Sequence, residues 1–491
     1  MTAPVETPPA PPGAGLAAKA GRAFGWSFLN SIVGRFGTLA IGIALARLLG
    51  PESFGTFAVA TVALLAMLSF NELGVSLAIV RWTDEPEEIT PTVNTLSVAM
   101  SSLLLVGVWF AAPWFSSTMG DPSATPVVRL MAVSIVINGI VASPAALLQR
   151  NFRQGRRMAI DQVNTWLGAA VSLGLALSGL GAMSLAVGRI AGSLVAAVLF
   201  LVWSPLPYRF GLDRNVARRL LRFGLPLAGA SVIVFLVGYT DQLVVGSRLN
   251  AALLGFYVLA FNLSSWPVSI FSQPLRSVAP AAFARLQGQP DKMNHAFRSV
   301  FGILFAVTIP TCALLAAAAI PVVRVVYGER WLPSAVVLHW LAAAAIARIF
   351  FELSYDYLVV RTATRGILVV QVLWLIALPP ALLVGVHFFG LVGAAAGQLL
   401  VSACVVVPAY CVLLRRAGVR LSGLAREFAP SALGGGVIVG FTSLIAYLVS
   451  NPLTVCVVAG LLAGVVAAVL IFLRRGELAA IRSHRGEEVA A

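Results

Sequence analysis

Charge is what this sequence has least of. Only 11% of its 491 residues are Asp, Glu, Lys or Arg, against roughly a quarter in soluble domains. Within that small set acids are scarcer still: 19 Asp and Glu stand against 34 Lys and Arg, a formal net charge of +15. Cysteine is rare. Cys312, Cys404, Cys411 and Cys456 all lie in apolar runs, so they read as small buried hydrophobes and exclude a disulfide framework or a metal cluster. There are four histidines, and His339 and His387 stand alone in apolar surroundings. No Gly-rich phosphate loop, no His-rich metal spacing and no paired carboxylate on a long loop is present. The expectation is therefore no enzyme, no catalytic residues, no metal and no cofactor. The opening MTAPVETPPAPPGAG lacks a positively charged stretch followed by an apolar one. It reads as a Pro-rich disordered tail over residues 1–23, not as a signal peptide.

What fills the chain instead is apolar sequence. Hydrophobic residues make up 59% of it, with a mean hydropathy of +0.92. The apolar runs are continuous, which argues for membrane helices and against the alternation of a β-barrel. Fourteen runs reach helix length, from 24–46 to 453–473, each near the ~20 residues that cross a hydrocarbon core. The expected fold is an all-α polytopic membrane protein. Basic residues test the count. Arg150, Arg153, Arg156 and Arg157 follow the fourth run, and Arg209, Arg214, Arg218, Arg219 and Arg222 the sixth. Arg276, Arg285, Lys292 and Arg298 follow the eighth, Arg361 and Arg365 the tenth, and Arg415, Arg416, Arg420 and Arg426 the twelfth. The odd-numbered loops hold only Arg47, Arg129, Arg248, Arg324 and Arg330. This bias places both termini in the cytoplasm, and it accounts for the +15 without nucleic acid as a partner. The acidic group Asp84, Glu85, Glu87 and Glu88 after the second run does not overturn it, because acids contribute little to the rule.

The chain also repeats itself. Phe24-Gly25 is followed by Arg47 and then GTFAVA at 55–60; Phe223-Gly224 is followed by Arg248 and then GFYVLA at 255–260. GLGA at 179–182 corresponds to GLVGA at 390–394. Two six-helix lobes in the same orientation follow, related by an axis along the membrane normal. The expected organisation is a tail (1–23), a first lobe (24–203), a basic cytoplasmic linker (204–222), a second lobe (223–414), two further helices after a linker (415–473) and a cytoplasmic tail (474–491).

The segments ALARLLGPESFGTFAVA (44–60), YTDQLVVGSRL (239–249), GFYVLA (255–260) and IPVVRVVYGERW (320–331) carry a resemblance. The chain resembles the polysaccharide transporter branch of the multidrug/oligosaccharidyl-lipid/polysaccharide exporter superfamily, and within it the Wzx-like oligosaccharide flippases. That resemblance implies two lobes around a central cavity that opens alternately to each side of a bacterial cytoplasmic membrane. It implies an undecaprenyl-pyrophosphate-linked oligosaccharide as substrate, membrane lipids as surroundings, and a polysaccharide polymerase and glycosyltransferases as pathway partners. A peptidoglycan-precursor flippase, a cation-coupled drug antiporter and a membrane glycan polymerase or ligase are the alternatives.

Such a substrate needs cations for the pyrophosphate, which Arg pairs bidentately. The cavity candidates are Arg35 and Ser31, on one polar stripe of the first span, with Arg189, Asn138 and Arg348. Arg35 reads as cavity-lining or as part of a structural pair, and Arg189 is close enough to a span end to snorkel. Arg348, Glu352 and Asp356 share one helix face, either as an ion-pair ladder or as a site coupled to H+ or Na+. Asp241 is the lone acid of the seventh span, paired with Arg248 two turns on or acting as a coupling acid. Asn94, Asn138, Asn164, Asn262 and Gln398 read first as interhelical hydrogen-bonding groups. Trp82, Trp203 and Trp331 read as interfacial anchors.

Overall fold

The computed structural model describes residues 14–71, 75–82, 85–276 and 279–475. Side chains before Gly37 lie outside the described residues, and so do Arg35 and Ser31 as candidate cavity groups. Among the described residues the chain is helical and contains no strand. Helices α1 (Ala14–Asn71), α2 (Val75–Arg81), α3 (Pro86–Thr118), α4 (Thr125–Arg150), α5 (Gln154–Leu177) and α6 (Ala182–Trp203) pack as a first group. The second group comprises α7 (Arg214–Arg248), α8 (Ala251–Ser264), α9 (Gln273–Arg276), α10 (Ala279–Arg285), α11 (Pro290–Ala317), α12 (Ala319–Val326), α13 (Leu332–Val360), α14 (Thr364–Val401) and α15 (Val407–Arg416). Helices α16 (Leu421–Leu448) and α17 (Pro452–Leu473) lie against α11.

Most of the long helices are apolar on all sides within their spans, and the outward faces expose Phe110, Trp114, Phe389 and Leu433 at 71–76%. A soluble fold does not leave rings and leucines so bare around its whole perimeter; a lipid-facing one does. Eleven helical stretches among the described residues are long and apolar enough to cross a membrane. They are fewer than the fourteen expected for physical reasons. The expected eleventh and twelfth runs form one stretch, Thr364–Arg416, bent at Gly390. The first and second are joined in α1 across Gly50. Helix α5 is too polar to qualify, carrying Asp161, Gln162 and Asn164 in its first half.

Both joints are built on glycine. Gly50 has φ +73° and ψ 174°, a conformation that stops one helix, and Pro51 at once restarts the next because its fixed φ suits a first turn. Gly390 has φ 58° and ψ −135°, and Gly181, at the start of α6, has φ 55° and ψ −133°. The two repeats thus share a backbone bend, and it aligns Gly181 with Gly390 where the letters alone had aligned Gly179.

Two expected boundaries shift. Helix α1 begins at Ala14, so residues 14–23 of the expected tail are helical. The basic linker is extended only over 204–213, because the Asp213 carboxylate accepts from the N–H groups of Asn215 and Val216 and starts α7 there. The rest of it, Arg214 onward, is the first turns of α7. The extended part is fastened to α3: Asn94 Nδ2 donates to the Arg209 carbonyl at 2.8 Å and Thr95 Oγ1 to that of Gly211 at 2.7 Å. At the chain's far end Arg474 is ion-paired to Glu427 at 2.6 Å, and Arg298 of α11 reaches the same carboxylate at 3.3 Å. This triad binds α16 and α17 to the second group.

Candidate functional site

The two groups meet through α7 on α2 and α3 at the arginine-rich end of the bundle, and through α1 and α8 at the arginine-poor one. Arg47, on the last turn of α1 before Gly50, reaches across with Nε 2.7 Å from the Val326 carbonyl and Nη2 2.5 Å from that of Val325. Those carbonyls end α12, where unpaired C=O groups and the helix dipole both favour a cation. Trp331 is 1% exposed. Its Nε1 donates to the Ala46 carbonyl at 3.1 Å, and its ring packs edge-on against Phe54 and Phe256. It is thus no interfacial anchor: it is the centre of a seal between the groups. Beside it α1 and α8 cross at Gly55 and Gly255, so tightly that a Cβ on Gly55 would stand 1.8 Å from the Ala251 carbonyl oxygen.

Inside the second group, α7, α8, α13 and α14 enclose a cavity of about 240 Å³. Arg348 and Glu352 line it, joined by Ser265, Gln398 and Trp374. Arg348 Nε sits 3.2 Å from Glu352 Oε1, as their spacing on one helix face required. The ladder does not end there. Arg276, from the short α9, takes Asp356 in a two-pronged grip at 2.6 and 3.0 Å and reaches Glu352 at 3.2 Å. Two acids and two arginines cancel formally, but they are layered. The arginine side chains are 40% and 29% exposed, the acid side chains 15% and 10%. Of the four, Arg348 and Glu352 line the cavity, and Arg348 is the more exposed of the two. Gln398 Oε1 and Trp374 Nε1 are buried there without a hydrogen-bond partner among the described residues. Such orphans are costly without a ligand or water.

Two π-helical turns flank this cavity, Val268–Ser272 after Pro267 and Ser402–Val406. Such turns aim side chains that a regular helix would hide. Ser272 Oγ lies 3.4 Å from Glu352 Oε2, and Ser402 is part of the wall.

Asp241 lies one turn beyond Gly238 of the cavity wall, within electrostatic reach of Arg348, but outside the ladder. It is 2% exposed, and its carboxylate accepts from Tyr257 Oη at 2.9 Å and from the Gln242 N–H at 2.8 Å. Arg248 is exposed and forms no ion pair with it, so the expected Asp241–Arg248 pair is replaced by a link between α7 and α8. Asn138 is exposed on α4 and donates to the Ser134 carbonyl of its own helix. Arg189, on α6 of the first group, makes no hydrogen bond or ion pair among the described residues. Asn94 is the interhelical group it was expected to be, accepting from Ser143 at 2.5 Å. Arg276 is what the sequence reading missed, counted as one more loop arginine. Its signal was the unbalanced second acid, Asp356. Among the described residues no group of three or more His, Cys, Asp and Glu could hold a metal ion.

Comparison with known proteins fits this architecture. The structure is similar to the lipid II flippase MurJ in an inward closed conformation, with a TM-score of 0.75 and 13% identity, covering 90% of this chain and 98% of that one. It is also similar to an inward-facing multidrug resistance MATE family transporter of the MOP superfamily, with a TM-score of 0.63 and 16% identity, covering 78% and 94%. In sequence it is 26% identical over 315 residues to the succinoglycan biosynthesis transport protein ExoT of Rhizobium meliloti, covering 63% of each chain. It is 22% identical over 396 residues to the lipopolysaccharide biosynthesis protein WzxC of Escherichia coli, covering 79% of this chain and 80% of that one. The profile of one family, the polysaccharide biosynthesis proteins, matches residues 44–336, a stretch that runs from the Arg47 seal through the Asp241–Tyr257 link to the Trp331 contact. The chain is a multi-pass membrane protein and belongs to that polysaccharide biosynthesis protein family.

Proposed function

We propose that this protein flips an undecaprenyl-pyrophosphate-linked oligosaccharide from the inner to the outer leaflet of a bacterial cytoplasmic membrane, by alternating access, for surface polysaccharide synthesis. The observation that carries the reading is the layered ladder. A cavity inside a membrane-spanning bundle presents Arg348 over the less exposed Glu352, and a guanidinium at that depth is worth its cost when an anion arrives to meet it. A pyrophosphate is such an anion. The cavity is smaller than the ~300–1,000 Å³ of ordinary ligand pockets, so a glycan needs the two groups to part. The seal made by Arg47, Trp331 and the two glycines supports a protein closed at one end. By the positive-inside rule that arginine-poor end is the outer one, and both termini are cytoplasmic.

Glu352, shared by two arginines, is where H+ or Na+ would couple, since neutralising it releases Arg348 toward the cavity while Arg276 stays on Asp356. Pathway partners on this reading are a polymerase and glycosyltransferases that supply and consume the lipid-linked glycan. The names of ExoT and WzxC support the polysaccharide class, and that of MurJ supports a lipid-linked cargo. The test uses cells lacking their own polysaccharide flippase. The parent should restore surface glycan, and Arg348→Ala at matched membrane level should leave the lipid-linked intermediate at the inner leaflet. A parent that restores nothing across several glycan pathways, and instead raises resistance to cationic drugs, would overturn the reading.

A further inference from the structure

The first turns of α7 carry a second cationic feature that the transport reading does not use. Arg214, Arg218 and Arg222 recur every fourth residue, so their side chains share one stripe. All three are exposed, and none makes a hydrogen bond or ion pair among the described residues. The nearest acid in sequence, Asp213, is engaged in capping the helix, with its carboxylate 2.7 Å from the Asn215 N–H. The same stripe continues with Leu221, 39% exposed, and Leu225, 66% exposed. With Leu212 these residues wall a groove of about 860 Å³. Charge lies at the arginine-rich end of the stripe and apolar surface at the end that enters the bundle.

The opposite face of the helix is fixed. Leu220 is fully buried. The Arg219 guanidinium lies 3.9 Å from the centre of the Trp82 ring, and Trp82 packs edge-on against Phe223 at 5.9 Å. The stripe is thus held outward by packing on α2 and cannot roll to find partners inside the protein.

We propose that this stripe binds the anionic headgroups of phospholipids in the leaflet around it, phosphate on Arg214, Arg218 and Arg222 and acyl chain on Leu221 and Leu225. Charge complementarity carries the argument: three unpaired guanidiniums on about 12 Å of helix need anions, and each basic residue near an anionic surface contributes about fivefold in binding. The exposed leucines select an anion with a tail over a free one. The site also sits at the junction of the extended linker and α7, so a bound lipid holds the point where the two helix groups are joined.

The test is native mass spectrometry of the purified full chain with phosphatidylglycerol, phosphatidylcholine or inorganic phosphate added. The parent should retain phosphatidylglycerol over phosphatidylcholine and show no retained phosphate. The triple variant Arg214→Gln, Arg218→Gln, Arg222→Gln should lose that preference by roughly tenfold or more, and the triple Lys variant should keep most of it. Arg415→Gln with Arg416→Gln, elsewhere on the arginine-rich end, should keep it fully. Thermal unfolding with each lipid guards against misfolding: phosphatidylglycerol should raise the midpoint of the parent and not of the Gln variant. An unchanged preference in the Gln variant overturns the proposal. So does a Gln variant that keeps phosphatidylglycerol and loses only added undecaprenyl pyrophosphate, which would make the stripe a docking place for cargo.

Discussion

Gly55 and Gly255 fill each other's missing side-chain space. A Cβ on Gly255 would lie 3.1 Å from the Gly55 Cα and 2.5 Å from the Pro51 carbonyl oxygen. They open the equivalent motifs of the two repeats, GTFAVA and GFYVLA, so the internal duplication closes on itself at the seal. Gly255→Ala should therefore prise α1 from α8 and lower thermal stability by about 1–3 kcal/mol, the usual cost of overpacking. Gly238→Ala, where a Cβ meets nothing within 4 Å, should leave the midpoint unchanged or raised. Equal effects at both sites would deny the crossing.

The arginine ladder should behave as one unit. Removing the carboxylate in Glu352→Ala leaves Arg348 and Arg276 each short of a partner, a loss on the order of 3–5 kcal/mol for a buried pair and less where water reaches. Adding Arg276→Met to Glu352→Ala should cost less than the two single losses summed. A double-mutant cycle by denaturant unfolding in detergent checks this, and strict additivity would break the ladder into unrelated contacts.

Tyr257 and Asp241 should couple in the same way. Tyr257→Phe takes one donor from a buried carboxylate and should cost about 1–3 kcal/mol. In an Asp241→Asn background the same change should cost about 1 kcal/mol, because a neutral amide loses less with its donor. Arg248→Ala should change stability by no more than about 0.5 kcal/mol, as an exposed residue with no ion pair to lose among the described residues. A large Arg248 effect would restore the pair that the geometry removes.

Much of the fold was legible because its causes are local in sequence. Apolar runs name membrane helices, arginine bias names their ends, and the spacing of Gly55 and Gly255 names the repeat. Arg348, Glu352 and Asp356 were legible as one face because helical periodicity fixes them. Arg276 was not, since it reaches the ladder from the short α9, set by the π-helical turn before it, 80 residues from Asp356, and irregular backbone has no periodicity to read. Trp331 misled for a related reason. Its place at a span end suggested lipid, while the partner that buries it, the Ala46 carbonyl, lies 285 residues away.

The linker clip gives a prediction of its own. Asn94→Leu removes the donor to the Arg209 carbonyl and the acceptor from Ser143. Proteolysis within 204–213 should speed up several-fold while thermal unfolding of the helices shifts by about 1–3 kcal/mol. Unchanged cleavage would mean that the linker is held by other contacts.

Alternating access is tested most directly at the Arg47–Val326 contact. Cysteines at both positions, in a chain whose four native cysteines are replaced by alanine, can be joined by a short bifunctional thiol reagent in reconstituted vesicles. The measurement is movement of lipid-linked oligosaccharide between leaflets before and after cleavage of the bridge. The account predicts that bridging stops movement, that cleavage restores it, and that either cysteine alone is unaffected by the reagent. Transport at the parent rate with the bridge fully formed would contradict it.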